Sequence, residues 1–380
     1  MGKIEESLNS LVGWIESERY MGYDPYDLIT PFSDRFQRRA LFYAQQFGKI
    51  SPVNIRRIAG VKKAHNPKGL ALISSAYFNM YNSTGNRDFL KKAENLINIL
   101  KGLRSPGFEE FAWGYNFPWA SRNFFLPAYQ PSIVVSATVG KMLLKHHEIT
   151  GKEESLKIAQ SVGNFILKRL NRYETDRHLC FSYTPYDHSR TFNASLMGAE
   201  ILSILYRKTG EKTFLIPAKK AARYAIEHQK KDGSWAYGYS ENGKEMELYD
   251  FHQGFVLDSL KVISESLDME MKKPIDSGLR FYREKLFYEN GMSVYRYPKV
   301  YPTDIHNQAQ GILTFNRHGD HAFSHRVALW TIENMQDKEG YFHYQAWPNF
   351  SNRIPYMRWG QAWMMLALSY LTGVRGSDGG

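Results

Sequence analysis

Six stretches of this chain are apolar around most of a helical circumference. They run roughly over 66–83, 130–149, 193–208, 250–266, 304–317 and 356–371. Beyond their first turns they read like Ile312 to Phe315 or Trp363 to Leu368, the pattern of helices buried on most sides. Charged, amphipathic stretches alternate with them near 86–100, 152–170, 211–229, 271–287 and 320–336. These read as helices with one wet face. The alternation predicts helical hairpins, each with an apolar inner and an amphipathic outer member. The remaining outer helix is expected over 34–48, with 4–19 packed outside it.

Thr-Gly pairs punctuate the pattern at Thr84-Gly85, Thr150-Gly151, Thr209-Gly210 and Thr372-Gly373. After each of the first three, a leucine follows five residues beyond the glycine (Leu90, Leu156, Leu215) and an alanine eight beyond (Ala93, Ala159, Ala218). A glycine just past a helix end suits a left-handed cap, so each pair predicts a tight hairpin turn. Degenerate turns are expected near Leu267-Asp268 and at His318-Gly319. Six such hairpins close naturally into a ring inside a ring. The predicted fold is all-α, a six-hairpin (α/α)6 barrel forming one domain over 1–375, with 376–380 a disordered tail. An open helical solenoid is the alternative.

Connections from outer to inner helices are long, roughly 100–130, 170–192, 229–250, 287–304 and 336–356, whereas the Thr-Gly turns are short. Long loops gathered on one rim of a rigid scaffold commonly carry function. Theirs are rich in aromatics, among them Trp113, Tyr183, Tyr186, Trp235 and Tyr344. Alternation such as Trp235-Ala-Tyr237-Gly-Tyr239 predicts short β-hairpins there. Two loops open alike, Gln229 to Trp235 and Gln336 to Phe342, as Gln-x-x-acid-Gly-x-aromatic. This resembles the glutamine–tryptophan repeat of terpenoid cyclases, which implies a structural clamp. The acidic Asp-x-Asp-Asp motif of the class II cyclases is absent.

Composition narrows the function. The chain has 380 residues, a formal net charge of +11 and 15% aromatic residues. The charge favours an anionic partner, but the basic residues are scattered and no nucleic-acid motif occurs, so nucleic acid is not expected. No apolar run is long enough to span a membrane, and the first residues form no apolar signal core. The lone Cys180 excludes an internal disulfide framework.

The inner-helix N-termini, on the long-loop rim, are strongly polar although the helices are not. They carry Asn66, Gln130, Arg190 with Asn193, Asp250-Phe251-His252-Gln253, Asp304-Ile305-His306-Asn307-Gln308 with Gln310, and Tyr356, Arg358 and Gln361. Helix capping explains one such residue per helix and not the rest. Helix N-termini also favour anions. The expected site is therefore a carbohydrate cleft at the barrel mouth. His252 and His306 serve as acid and base, with Tyr356 a further candidate, and Asp250 and Asp304 orient them. Arg358 anchors a carboxylate. Arg190, Asn193, Gln253, Asn307, Gln310 and Gln361 take sugar hydroxyls or the acid group, while Trp113, Tyr183, Tyr186, Trp235 and Tyr344 form stacking platforms.

Removing a proton next to a carboxylate needs a base, an acid on the other face and a cation. This set supplies all three. Hydrolysis through Asp250 and Asp304 is the alternative, and a non-catalytic glycan-binding barrel another. A metal site from Asp250, His252, Asp304 and His306 is chemically admissible, but two Asp-x-His pairs are too little to assign one. Neither metal nor cofactor is expected.

From about Gln229 to Leu371 the chain resembles an α/α-barrel family encoded with capsule and exopolysaccharide genes. The resemblance rests on 229–235, 250–254, 304–310 and 356–363. More distantly, it is similar to the helical domain of D-glucuronyl C5-epimerases and to six-hairpin glycosidases. The resemblance implies a cytoplasmic role in assembling acidic polysaccharide, on a lipid-linked or nascent chain. It carries no residue roles.

Overall fold

A computed structural model of the protein describes residues 2–120 and 125–372. The expected tail at 376–380 lies outside the described residues. Among the described residues there are thirteen α-helices: α1 (Lys3–Ser17), α2 (Arg38–Ile50), α3 (Pro67–Thr84), α4 (Arg87–Gly102), α5 (Ile133–Thr150), α6 (Glu153–Arg169), α7 (Phe192–Thr209), α8 (Lys212–Glu227), α9 (His252–Leu267), α10 (Lys272–Leu286), α11 (Ile305–Arg317), α12 (His321–Met335) and α13 (Ala362–Leu371). Helices α3, α5, α7, α9, α11 and α13 form the inner ring. Each packs on the next, and α13 returns to α3. Asn79 of α3 donates to Ser369 of α13 across that seam, at 2.8 Å.

The turns follow the predicted chemistry. Gly85, Gly151 and Gly210 cap α3, α5 and α7 in the left-handed region, at φ 71°, 69° and 74°. Asp268 does the same after α9 at φ 50°, and Gly319 lies at φ 90° after α11. On the opposite rim the long loops form short antiparallel pairings. Gly238–Tyr239 lies between Arg190–Thr191 and Glu245–Met246, and Gln345–Ala346 lies between Thr303–Asp304 and Ser351–Asn352.

The sixth outer helix is α1, not the 34–48 segment expected from sequence. Helix α1 buries Leu8, Leu11, Val12 and Ile15 and packs on α12 and α13. Helix α2 buries only Leu41, Gln45 and Gly48. It packs on a 3-10 helix, Asp27–Phe32, and on strand Trp119–Ala120, away from the ring. Three aliphatic-poor positions cannot fill an outer-layer groove, whereas four aliphatics at helical spacing can.

The two glutamine-led loops show the equivalence of α1 and α10 directly. Gln229 donates to Gly233 O at 2.9 Å and to Pro274 O of α10 at 2.8 Å. Gln336 donates to Gly340 O at 2.9 Å and to Ser7 O of α1 at 3.1 Å. Gly233 and Gly340, at φ 91° and 98°, each lie against the next outer helix. A Cβ there would stand 2.3 Å from Ser277 O and 2.5 Å from Ser10 O respectively.

Gly340→Ala therefore meets both a left-handed backbone and a collision with α1. Gly85→Ala meets only the first, since nothing lies within 4 Å of its Cβ position. We expect Gly85→Ala to cost about 1 kcal/mol and Gly340→Ala about 3 kcal/mol or more in chemical denaturation. Equal losses would mean that α1 does not seat against this loop.

Candidate active site

A cavity of about 260 Å³ opens among the N-terminal ends of the inner helices. Local capping positions its walls. Asn66 accepts from the amides of Lys68 and Gly69, at 3.1 and 3.2 Å, which starts α3 and sets Lys68 in its first turn. Asp304 caps α11 by accepting from the His306 amide at 2.9 Å. Before α13 the chain makes a π-helical turn, Met357–Gln361, that turns both Arg358 and Trp359 to the cavity. Such π-turns often mark functional positions.

The two Asp-x-His starts differ in chemistry. The Asp250 carboxylate accepts from the His252 amide at 3.1 Å and bonds His252 Nδ1 at 2.5 Å. Burial works against its charge, yet His252 and Arg296, the latter 3.7 Å away, hold the carboxyl below its usual range. Asp304 instead accepts from Trp359 Nε1 at 2.9 Å and Gln345 Nε2 at 2.8 Å, behind the cavity wall. Burial lifts its carboxyl above the usual range despite those bonds.

His306 is thereby left without a partner. Both its ring nitrogens are buried and unbonded among the described residues. Burial first, then the charges of Lys68, Arg358 and His252, holds its pKa well below the ordinary histidine value, so the ring is neutral. Phe251 stacks on both imidazoles, its ring centroid 4.2 Å from each. Trp359 and Trp363 enclose His306 at 4.6 and 5.0 Å.

Lys68 is the second unpartnered group. It is 3% exposed and lines the cavity, over the rings of Trp363 (5.1 Å) and Phe255 (5.6 Å). No carboxylate pairs with it among the described residues. Burial, then the charges of Arg358 and Lys141, pushes its amine far below the usual lysine range. Asn193 Oδ1 is also buried, unpaired and part of the lining residue set.

Of the residues expected from sequence, Asp250, His252, His306, Arg358, Asn193 and Tyr183 line this cavity. Arg358 differs from expectation in one respect. Its guanidinium already holds Asp24, with Nε to Oδ2 at 2.6 Å and Nη2 to Oδ1 at 2.8 Å, and lies over the Tyr115 ring at 4.8 Å. It is a neutralised pair and not a free carboxylate anchor.

The remaining expected residues stand elsewhere. Gln253 and Gln361 each clamp a loop through its main chain. Gln253 takes the Trp235 amide and carbonyl (2.9 and 2.7 Å), and Gln361 takes those of Phe342 (2.8 Å each). Asn307 donates to Val294 O and Tyr295 O. Trp113 and Trp235 are core residues whose indoles donate to the carbonyls of Leu100 and Ala225, both at 2.8 Å. Tyr356 and Tyr344 pack edge to face in the core at 4.8 Å, with Arg56 over Tyr356.

Arg190 sits over Tyr173 and Tyr239, outside the cavity lining, and exposed Tyr186 bonds Gln130 at 2.6 Å. Gln310 bonds Asp258 at 2.9 Å in a second chamber deeper in the barrel. Sequence reasoning missed Asp24, Tyr26, Lys68, Phe117, Phe251, Arg296 and Trp359, and placed Tyr115 and Tyr237 only among the aromatics of the long loops. Lys68 carried a usable signal: a lysine one residue after Asn66-Pro67, at the head of an otherwise apolar helix. Among the described residues no group of three or more His, Cys, Asp or Glu could hold a metal ion.

Solved structures match most of the chain. Cellobiose 2-epimerase from Bacillus thermoamylovorans superposes with a TM-score of 0.64 at 12% identity, over 82% of this chain and 88% of that one. An unsaturated glucuronyl hydrolase specific for heparin gives 0.58 at 11%, over 82% and 87%. A GH76A alpha-1,6-mannanase from Salegentibacter gives 0.56 at 11%, over 81% and 88%. It was solved as an inactive variant with two consecutive aspartates changed to alanine, in complex with alpha-1,6-mannotetrose. No protein-family model and no curated protein matches the sequence. These neighbours are carbohydrate-active enzymes, and at such identities the likeness establishes the fold, an (α/α)6 barrel.

Two stability predictions follow from the buried charges. Asp24→Asn or Arg358→Met leaves one charge buried alone and should cost about 3–5 kcal/mol, while the double variant recovers most of it. Additive losses in urea unfolding would contradict the pairing. His306, with its folded pKa below the unfolded value, holds fewer protons when folded. Stability should therefore fall as pH drops below about 6.5, by at most about 1.4 kcal/mol per pH unit from this group. His306→Phe should remove that share of the slope, and an unchanged slope would contradict the assignment.

Proposed function

We propose that this protein is a carbohydrate-active enzyme of polysaccharide or glycan biosynthesis. It acts on an acidic, uronate-containing saccharide by epimerase- or lyase-like proton chemistry. One observation carries the reading: two imidazoles line one cavity with a buried Lys68 that no carboxylate pairs among the described residues. The biosynthetic setting, the cytoplasmic location and a lipid-linked or nascent substrate rest on the resemblance of the C-terminal half.

Charge supports the acidic substrate. Lys68, Arg296 and Arg358 line the cavity against Asp250 alone, and Asp24 behind the wall neutralises Arg358. A ligand carboxylate beside Lys68 supplies the missing counter-charge. In the proposed step neutral His306 accepts the proton from the carbon next to that carboxylate. The C–H electron pair moves toward the carboxyl group, where Lys68 offsets the growing charge. His252, its Nδ1 held by Asp250, returns a proton to the opposite face of that carbon to give the epimer. Loss of a substituent from the adjacent carbon would give a lyase product instead.

The hydrolytic alternative has less support. Asp304 is not among the residues that line the cavity, both its oxygens already accept bonds from protein groups, and no two consecutive aspartates occur in the sequence.

The test is NMR in heavy water with uronic-acid glycans. Deuterium should appear at C5 without chain shortening, and His252→Ala or His306→Phe should slow it by about a hundredfold or more. Shortened chains without exchange, or bound glycan with no product, would contradict the proposal. Lys68→Met should raise KM for the acidic substrate at least about tenfold and leave a neutral analogue unaffected, since an ion-pair partner is removed for one only. Equal losses for both would contradict the anchoring role.

A further inference from the structure

We infer that the outer face of α2 is a docking surface for an anionic membrane, placed beside the cavity mouth. Among the described residues fourteen large hydrophobic side chains are exposed, and six of them crowd into positions 36–58: Phe36, Tyr43, Phe47, Ile50, Val53 and Ile58. Exposure runs from 54% at Phe47 to 90% at Ile58. Tyr43, Phe47 and Ile50 recur at spacings of four and three, so they form one stripe along the helix. The opposite face, Leu41, Gln45 and Gly48, holds α2 to the protein. Among the described residues the apolar stripe has no such covering, and contiguous patches of this kind mark interaction sites.

Charge selects the partner. Between Pro31 and Lys63 the exposed basic side chains are Arg35, Arg38, Arg39, Arg57, Lys62 and Lys63, against one acid, Asp34. Apolar residues on one face with arginine and lysine around them is the pattern of a helix lying in an anionic lipid interface. A second copy of the chain fits poorly, because a two-fold contact sets the same cations against each other. No described helix is long and apolar enough to cross a membrane, so the contact would be peripheral.

The surface is tied to the site. Gln45 of α2 donates to Tyr26 O at 2.8 Å, and Lys49 donates to the Tyr26 hydroxyl at 2.9 Å. Tyr26 itself lines the cavity. Docking α2 on lipid would hold the mouth near the membrane surface, whichever reaction the cavity runs.

Co-sedimentation with phosphatidylcholine vesicles, with and without phosphatidylglycerol, tests this. The full chain should bind the anionic vesicles at least about tenfold more tightly than the neutral ones, and lose that binding in high salt. The triple variant Tyr43→Ser/Phe47→Ser/Ile50→Ser should lose binding while keeping the wild-type melting temperature. Should that variant fail to fold, Arg39→Glu/Arg57→Glu should show the same loss. No binding, equal binding to both vesicle types, or undiminished binding by a folded variant would overturn the inference. So would a wild-type dimer in light scattering that the triple variant abolishes, which would assign the stripe to a second copy.

Discussion

The site depends on one repeated device, a side chain near an inner-helix N-terminus that holds the main chain of a rim loop. Ser136 grips Trp113 by both its amide and its carbonyl, and Ser195 takes the Phe181 amide. Gln253, Gln308 and Gln361 do the same for Trp235, Ser293 and Phe342. Loops of this length carry many polar main-chain groups, and burying them unpaired is costly. Five inner helices meet that demand from the ring itself. The loops are thereby fixed over the barrel mouth, and a cavity with defined walls exists.

That device explains much of the rim polarity. Glutamines and asparagines that looked like sugar-binding groups serve the scaffold, which leaves few polar groups for a ligand. Those few stand out physically. Among the described residues the buried His306 ring makes no hydrogen bond and the buried Lys68 amine has no carboxylate partner, whereas Arg358 is held by Asp24 and His252 by Asp250. A protein interior tolerates an unpaired amine or imidazole poorly, so a cavity that keeps two is poised for a complementary group.

The ring was legible in sequence because its signals are local. Thr-Gly caps at 85, 151 and 210 and the apolar stretches before them located the inner helices to within a few residues. The Asp-x-His starts lie at the end of the barrel where the cavity opens. What escaped depended on distant chain contacts. Asp24 meets Arg358 across 334 residues, which no spacing rule anticipates. Trp113 and Trp235 resemble stacking platforms in sequence, but an aromatic in a rim loop can face either way, and theirs turn inward to helix carbonyls. Helix α2 has the periodicity of an outer helix, yet its apolar stripe faces solvent and α1 fills the ring.

We propose that the cavity is electrostatically incomplete and that an acidic sugar completes it. Titration calorimetry at mildly alkaline pH, in buffers of different ionisation heat, measures this directly with a glucuronate-containing oligosaccharide and its neutral glucose counterpart. A carboxylate beside Lys68 should raise that amine back toward its ordinary range. The account therefore predicts proton uptake with the acidic ligand, absent in Lys68→Met, and weaker binding of the neutral one. Equal affinity for both ligands with no proton uptake would contradict it.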